Sequence, residues 1–291
     1  MKLDDTINVI STIITASFQT NSWSGSGFFF HEEHDDNPEL KDPKWLRIDN
    51  VWLVTNRHVL LFRDENKEEY VPESLTLHLR KIDPLTNAIT WHPITLTKPE
   101  LINRIRLHTN PDVDIAAIQI SDLLKTAIDS VKHLTQWSAV SERNLPGKNK
   151  ISVEVADDAL VIGYPKGYYD DVNCFPIVKS GIISTRWGSP FRGKPYFLID
   201  AKLFPGSSGS LVISRPTHQV VENGQMYLSA GKQFAFLGVF SGEPYRNTKP
   251  IELDNMTIIV KDGFNLGIVW YSYLVVEIIK SGEDVTKQNV K

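Results

Sequence analysis

The sequence predicts an all-β protein built as two β-barrels, each of about six strands. Short β-branched and aromatic runs recur between turn signals along nearly the whole chain, without the regular helical stretches that alternating β/α units require. The runs fall into two sets, separated by a polar segment, 141–150, that carries Pro146-Gly147-Lys148-Asn149-Lys150 and reads as a linker. A chain of 291 residues, 41% hydrophobic, can bury two such cores without crosslinks.

In the first half strands are expected over 9–18, 26–30, 51–55, 75–80, 89–97 and 114–120. In the second half they are expected over 152–155, 159–162, 176–183, 196–201, 211–213, 234–240 and 266–271. Most are rich in Val, Ile, Thr, Phe or Tyr and bounded by Gly, Pro, Asn or Asp, which favour turns. Between the sets, Leu123, Leu124, Ala127, Ile128, Val131 and Leu134 recur at helical spacing and predict an amphipathic insert over 121–137. A last helix is expected from Tyr273 to Lys280, stopped by Ser281-Gly282, with a frayed polar end behind it. This organisation gives two domains, 1–145 and 146–291, the second including the C-terminal helix.

With 35 acidic and 31 basic residues, the net charge of −4 offers no basic footprint for nucleic acid. The single cysteine, Cys174, precludes an intrachain disulfide and points to a reducing compartment. Its neighbours Asp-Val-Asn and Phe-Pro provide nothing that would activate a thiol. Asp4 and Asp5 stand where a secretory leader is basic, and no apolar stretch has the length of a membrane span, so a cytoplasmic location is expected. His31-Glu32-Glu33-His34-Asp35-Asp36 holds metal-ligating residue types, but it reads as a solvated loop between strands. No metal and no organic cofactor are expected.

The most informative segment is Phe204-Pro205-Gly206-Ser207-Ser208-Gly209-Ser210, between the strand-like runs 196–201 and 211–213. A Gly-x-Ser-Gly corner there turns a serine hydroxyl outward and aims backbone N–H groups at the space beside it, where acyl transfer develops an oxyanion. Serine is a weak nucleophile unless a base and an orienting carboxylate accompany it. Val51-Trp52-Leu53-Val54-Thr55 runs as an apolar strand into Asn56-Arg57-His58, which supplies an imidazole suited to proton transfer near neutrality. Alone, such a histidine equally fits a structural role. Asp114 opens the apolar run Ile115-Ala116-Ala117-Ile118, where a half-buried carboxylate calls for a partner; Asp112, two residues earlier, competes for that role.

His58, Asp114 and Ser208 occur in the chain order known for one type of serine-protease triad. With them come Gly25-Ser26-Gly27-Phe28, Val161-Ile162-Gly163-Tyr164-Pro165, Ser180-Gly181-Ile182-Ile183-Ser184 and Leu237-Gly238-Val239-Phe240-Ser241-Gly242. On these segments, from about residue 7 to residue 280, the chain resembles trypsin-like serine proteases of the chymotrypsin fold, above all bacterial peptidases related to the HtrA/Deg group. The resemblance implies perpendicular barrels with the site in the cleft between them. It implies His58 as general base and acid, Asp114 as its orienter and Ser208 as nucleophile, with an oxyanion hole from the N–H groups of Gly206 and Ser208. Ser241-Gly242-Glu243 would pair with the substrate backbone. Lys202, Leu203, Ser241, Gly242, Glu243 and Gly267 would surround the specificity pocket, where Lys202 would favour an acidic and Glu243 a basic substrate residue, or the two charges would neutralise each other or point to solvent and leave an apolar pocket around Leu203.

Two departures stand out. Ser207 occupies the position where digestive members of the family carry an aspartate that pairs with a newly cut N-terminus, so no activation by N-terminal cleavage is expected. The chain ends about ten residues past its last helix, so no PDZ domain is expected, and regulation would fall to the 121–137 insert, the 188–195 loop or a separate protein partner. The sequence therefore reads as a serine endopeptidase acting on proteins or peptides. A partner-triggered effector and a catalytically silent binding module of the same fold are the alternatives.

Overall fold

The computed structural model of the protein describes residues 3–19, 21–34, 47–130, 134–222, 224–247, 251–253, 256–258, 261–288 and 290–291. Three consecutive phenylalanines, Phe28-Phe29-Phe30, show how its two halves are joined. They lie on β2 (Ser22–His34), following β1 (Ser11–Ser17) and preceding β3 (Arg47–Thr55). Successive strand side chains point to opposite faces. Phe29 therefore enters one apolar core, with Val51 and Leu53, while Phe28 and Phe30 enter a second, with Trp52 and Val54. These strands are buried on both faces, which is why they read as continuous apolar runs rather than alternating ones.

The first half continues with β4 (Ser74–Ile82), β5 (Ile89–Thr97), β6 (Ile105–Leu107), β7 (Ala116–Gln119) and β8 (Leu134–Gln136). The second half holds β9 (Asp158–Gly163), β10 (Ile177–Ile183), β11 (Tyr196–Asp200), β12 (Leu211–Ser214), β13 (Phe236–Gly242) and β14 (Leu266–Tyr271), which close into a six-stranded barrel in the order β9-β10-β11-β14-β13-β12. The first half forms a nine-stranded sheet ordered β8-β4-β1-β2-β3-β7-β6, with β5 on β4 and a late strand, β15 (Glu283–Asp284), on β6. Leu75 and Leu77 near one end of that order, and Ile105 and Leu107 near the other, are fully buried in one core, so the sheet coils around its own interior. The predicted all-β, double-barrel architecture is present. Phe28 packs edge-on against Phe236 with ring centres 5.4 Å apart, fusing the inner wall of the first half to the second barrel.

Several expected elements differ. Residues 152–155 form no strand: Glu154 donates its N–H to Asp157 Oδ2, and Ala156 takes φ +72°, which makes a turn. The helical insert is a helix only over Ser121–Ser130 (α2); Val131 lies outside the described residues, and Leu134 pairs with Ile82 in β8. His31 and Glu33 do not lie in a loop. They continue β2 opposite Val51 and Ile48, with His31 Nε2 2.5 Å from Glu33 Oε1, while Asp35 and Asp36 lie outside the described residues. The end behind helix α3 (Tyr273–Ser281) is not frayed. Glu283–Asp284 pairs with Arg106 and Leu107, Val285 enters the first core, and the Lys291 backbone exchanges hydrogen bonds with Glu69 and Val71.

Candidate active site

Strand register brings His58 and Asp114 together. β3 and β7 run antiparallel with Thr55 opposite Ala116. His58 follows Thr55 by three residues and Asp114 precedes Ala116 by two, so both leave the same end of one strand pair. A short helix, α1 (Arg57–Leu60), starts at once after Thr55 and Asn56. Asn56 Nδ2 donates to the Asp114 carbonyl at 2.7 Å. The Asp114 carboxylate then serves three donors: the His58 backbone N–H at 2.9 Å, His58 Nδ1 at 2.6 Å and the Ser241 hydroxyl at 2.5 Å. Asp112 takes no part; it is exposed, 3.5 Å from Lys194 Nζ.

The electrostatics follow from this packing. Burial lowers the His58 pKa, but the Asp114 charge and its hydrogen bond to Nδ1 outweigh that, and the net shift is upward. With Nδ1–H donated to Asp114, the neutral, half-exposed ring carries its lone pair on Nε2.

Ser26 on β2 carries the serine corner. Its N–H donates to the Ser208 carbonyl at 2.8 Å, and its carbonyl accepts from Thr55 Oγ1 at 2.8 Å. Its hydroxyl donates to the Gly206 carbonyl and accepts the Tyr164 N–H, both at 2.9 Å. One fully buried side chain thus ties the corner to both halves. Gly206 and Gly209 have φ of +86° and +82°, the left-handed region that glycine enters without penalty. A Cβ on Gly209 would lie 2.0 Å from the Ser26 carbonyl oxygen. The Pro205 carbonyl accepts from Lys166 N at 2.7 Å, so in a planar trans peptide the Gly206 N–H points the opposite way. Neither that N–H nor that of Ser208 donates to an acceptor among the described residues.

The Ser208 hydroxyl donates to the Ser241 carbonyl at 2.8 Å, and among the described residues no hydrogen bond joins it to His58. The two groups are linked through Ser241, whose carbonyl meets Ser208 and whose hydroxyl meets Asp114. Ser241 falls where the β13–β14 register slips between Phe240 and Gly242, a bulge that turns both of its ends toward the site. Of the other expected pocket residues, Leu203 packs on the shared core and Gly267 lies tightly against Ile199 and Phe240. Lys202 is exposed. The Glu243 carboxylate accepts the Asn265 N–H at 2.6 Å, which commits it to the neighbouring loop. Reading the sequence missed the roles of Ser26, Asn56 and the Ser241 hydroxyl. Their signal is slight: a small polar residue beside a glycine, or at the end of an apolar strand.

Residues 25–221 match the family model described as the trypsin-like peptidase domain, more than half of the chain. The chain belongs to that family. The match includes both His58 and Ser208 and so takes in parts of both halves of the chain. No curated protein matches the sequence significantly. Similar solved structures include an inactivated protease paralogue of the scabies mite, at 11% identity over 97% of each chain with a TM-score of 0.47. A thermostable serine protease, AL20, from an extremophilic microorganism matches at 11% identity over 93% of this chain and 94% of that one, with a TM-score of 0.42. The inactive form of a serine-to-alanine mutant of Rv3671c from M. tuberculosis H37Rv matches at 14% identity, covering 92% of this chain and 84% of that one, with a TM-score of 0.41.

Proposed function

We propose that this trypsin-like peptidase is a serine endopeptidase that cleaves peptide bonds through His58, Asp114 and Ser208 by way of an acyl-enzyme. The observation that carries the proposal is the Asp114 carboxylate. It grips His58 by both backbone and ring and holds Ser241 beside the serine corner. That arrangement fixes the imidazole tautomer a general base needs. His58 Nε2 takes the Ser208 proton as Oγ attacks the carbonyl carbon. The oxyanion is received by the N–H groups of Gly206 and Ser208, and His58 returns the proton to the leaving amine. Water repeats the cycle on the acyl-enzyme. Ser241–Gly242–Glu243 carries the substrate backbone as an added strand, and no metal or cofactor enters the chemistry.

Before the first step Ser208 Oγ has to give up the Ser241 carbonyl in favour of His58 Nε2. A substrate N–H competing for that carbonyl favours the move, as would a regulatory protein partner. This resting contact fits a triggered peptidase, and we place it with the peptidases of the bacterial cytoplasm akin to the HtrA/Deg group, acting on peptides or proteins. Among the described residues no helix is long and apolar enough to cross a membrane.

A fluorophosphonate probe tests the reading. It should label Ser208 in the wild type, fail on Ser208→Ala, and react far more slowly with His58→Ala. Absence of labelling in the wild type, with and without peptide present, would instead assign the chain to silent binding modules.

A further inference from the structure

We propose that a basic pocket beside the serine corner, built from Lys166, Lys179 and Phe204, receives an acidic side chain of the peptide substrate. The proposal rests on the peptidase reading above and adds the chemistry of the substrate. A cavity of about 540 Å³ is lined by Pro165, Lys166, Tyr168, Ile177, Lys179 and Phe204. Phe204 is 40% exposed there, so its ring is open to a ligand. Two ammonium groups attend it, with Lys166 Nζ 5.4 Å and Lys179 Nζ 4.6 Å from the ring centre. Lys179 Nζ also donates to the Lys202 carbonyl, which leaves further N–H donors on that ammonium.

No carboxylate lines the cavity, and among the described residues neither lysine is in an ion pair. In a chain with more acidic than basic residues, two unpaired lysines around one ring make a local positive field that an anion relieves. The aromatic floor suits the methylenes of glutamate, and the ammonium groups suit its carboxylate. Glu243, the rival that would favour a basic residue, is held by the Asn265 N–H.

The pocket is attached to the reacting centre at two points. Phe204 precedes Gly206 by two residues, at most about 7 Å of chain. Lys166 donates its N–H to Pro205, whose peptide aims the Gly206 N–H. An acidic group held here therefore lies within a residue or two of the cleaved bond.

The test uses matched peptides carrying Glu, Gln or Lys at each position within two residues of the cleaved bond, measured by fluorescence polarisation on Ser208→Ala protein. At one position Glu should bind about tenfold more tightly than Gln at low salt, with Lys weakest, and the margin should shrink as salt rises. The Lys166→Glu/Lys179→Glu double variant should reverse the order. If that variant fails to melt cooperatively, Lys166→Gln/Lys179→Gln should erase the preference. Equal affinity for Glu and Gln at every position, including no measurable binding, overturns the proposal, as does a preference that survives both variants. Fluorophosphonate labelling of the wild type reports separately on the nucleophile. Labelling without acid preference removes the pocket alone, and acid preference without labelling retains the pocket while removing the peptidase reading.

Discussion

A proton on His58 is held more tightly in the folded protein than in the unfolded chain, because Asp114 more than offsets the effect of burial. The consequences for stability and for activity have opposite signs. The protonated pair contributes stability that is fully present below the unfolded imidazole pKa of about 6.5 and is lost as pH rises through the higher folded value. In the proposed mechanism activity needs the neutral ring, and it should therefore rise across that same window. Asp114→Asn removes the raising influences and leaves burial, so the His58 titration midpoint followed by NMR should fall, and kcat should drop by roughly 10,000-fold. A midpoint that stays in place in Asp114→Asn would show that Asp114 does not set the basicity of this ring. The three candidate residues were legible because each has a reactive type at the end of an apolar strand. Asp114 could be separated from Asp112 only by register, since the sequence shows two carboxylates and not which one faces His58. Ser26 was not legible as a strut, because its partners lie up to 180 positions away and are mostly backbone atoms.

At the scale of the element, glycines and a bulge shape the site. The bulge at Ser241 cannot be read from a sequence that runs apolar without alternation over Phe236–Phe240, because the slip is a property of its pairing with β14. The short strand β6 escaped notice for a related reason: three residues are too few to show a period. The hairpin of Thr217–Glu222 with Gln225–Gln233 escaped notice because it is largely exposed and has no buried face to impose alternation. Glycine at the corner was legible, and its necessity can be tested against a control. Gly209→Ala should suffer twice, from an L-residue at φ +82° and from a Cβ 2.0 Å from the Ser26 carbonyl. Gly224→Ala meets only the first penalty, of about 1–2 kcal/mol, since at φ +74° nothing lies within 4 Å of its Cβ. Thermal melts should show a clearly larger loss for Gly209→Ala, together with lost fluorophosphonate labelling. Equal melting losses would mean that the approach of the corner to β2 has slack.

At the scale of the whole molecule, the two halves are joined twice. The first junction is the wall of β2, β3 and β7, whose alternating residues belong to both cores, and its apolar character was plain in the sequence. The second is the return of residues 283–291 to the first half, which composition hid because the segment is polar. Its contacts are specific all the same. Gln288 Oε1 accepts from Arg57 Nη1 at 2.8 Å, and Arg57, buried beside His58, is otherwise held by a bidentate pair with Glu69. Gln288 Nε2 donates to the His108 carbonyl, Val285 fills a place in the first core, and β15 covers the edge of β6. Removing residues 283–291 should therefore leave a void, an uncovered strand edge and a buried guanidinium short of one partner. Because the two cores share the wall of β2, β3 and β7, one calorimetric transition is expected for the intact chain. The shortened chain should show an earlier transition of the first half, with labelling of Ser208 lost in step, because His58, the proposed base, resides in that half. The Gln288→Ala variant, which keeps Val285 and β15, should shift the melting point less while still slowing labelling. A single transition at an unchanged temperature in the shortened chain would show that the returning segment covers the first half without supporting it.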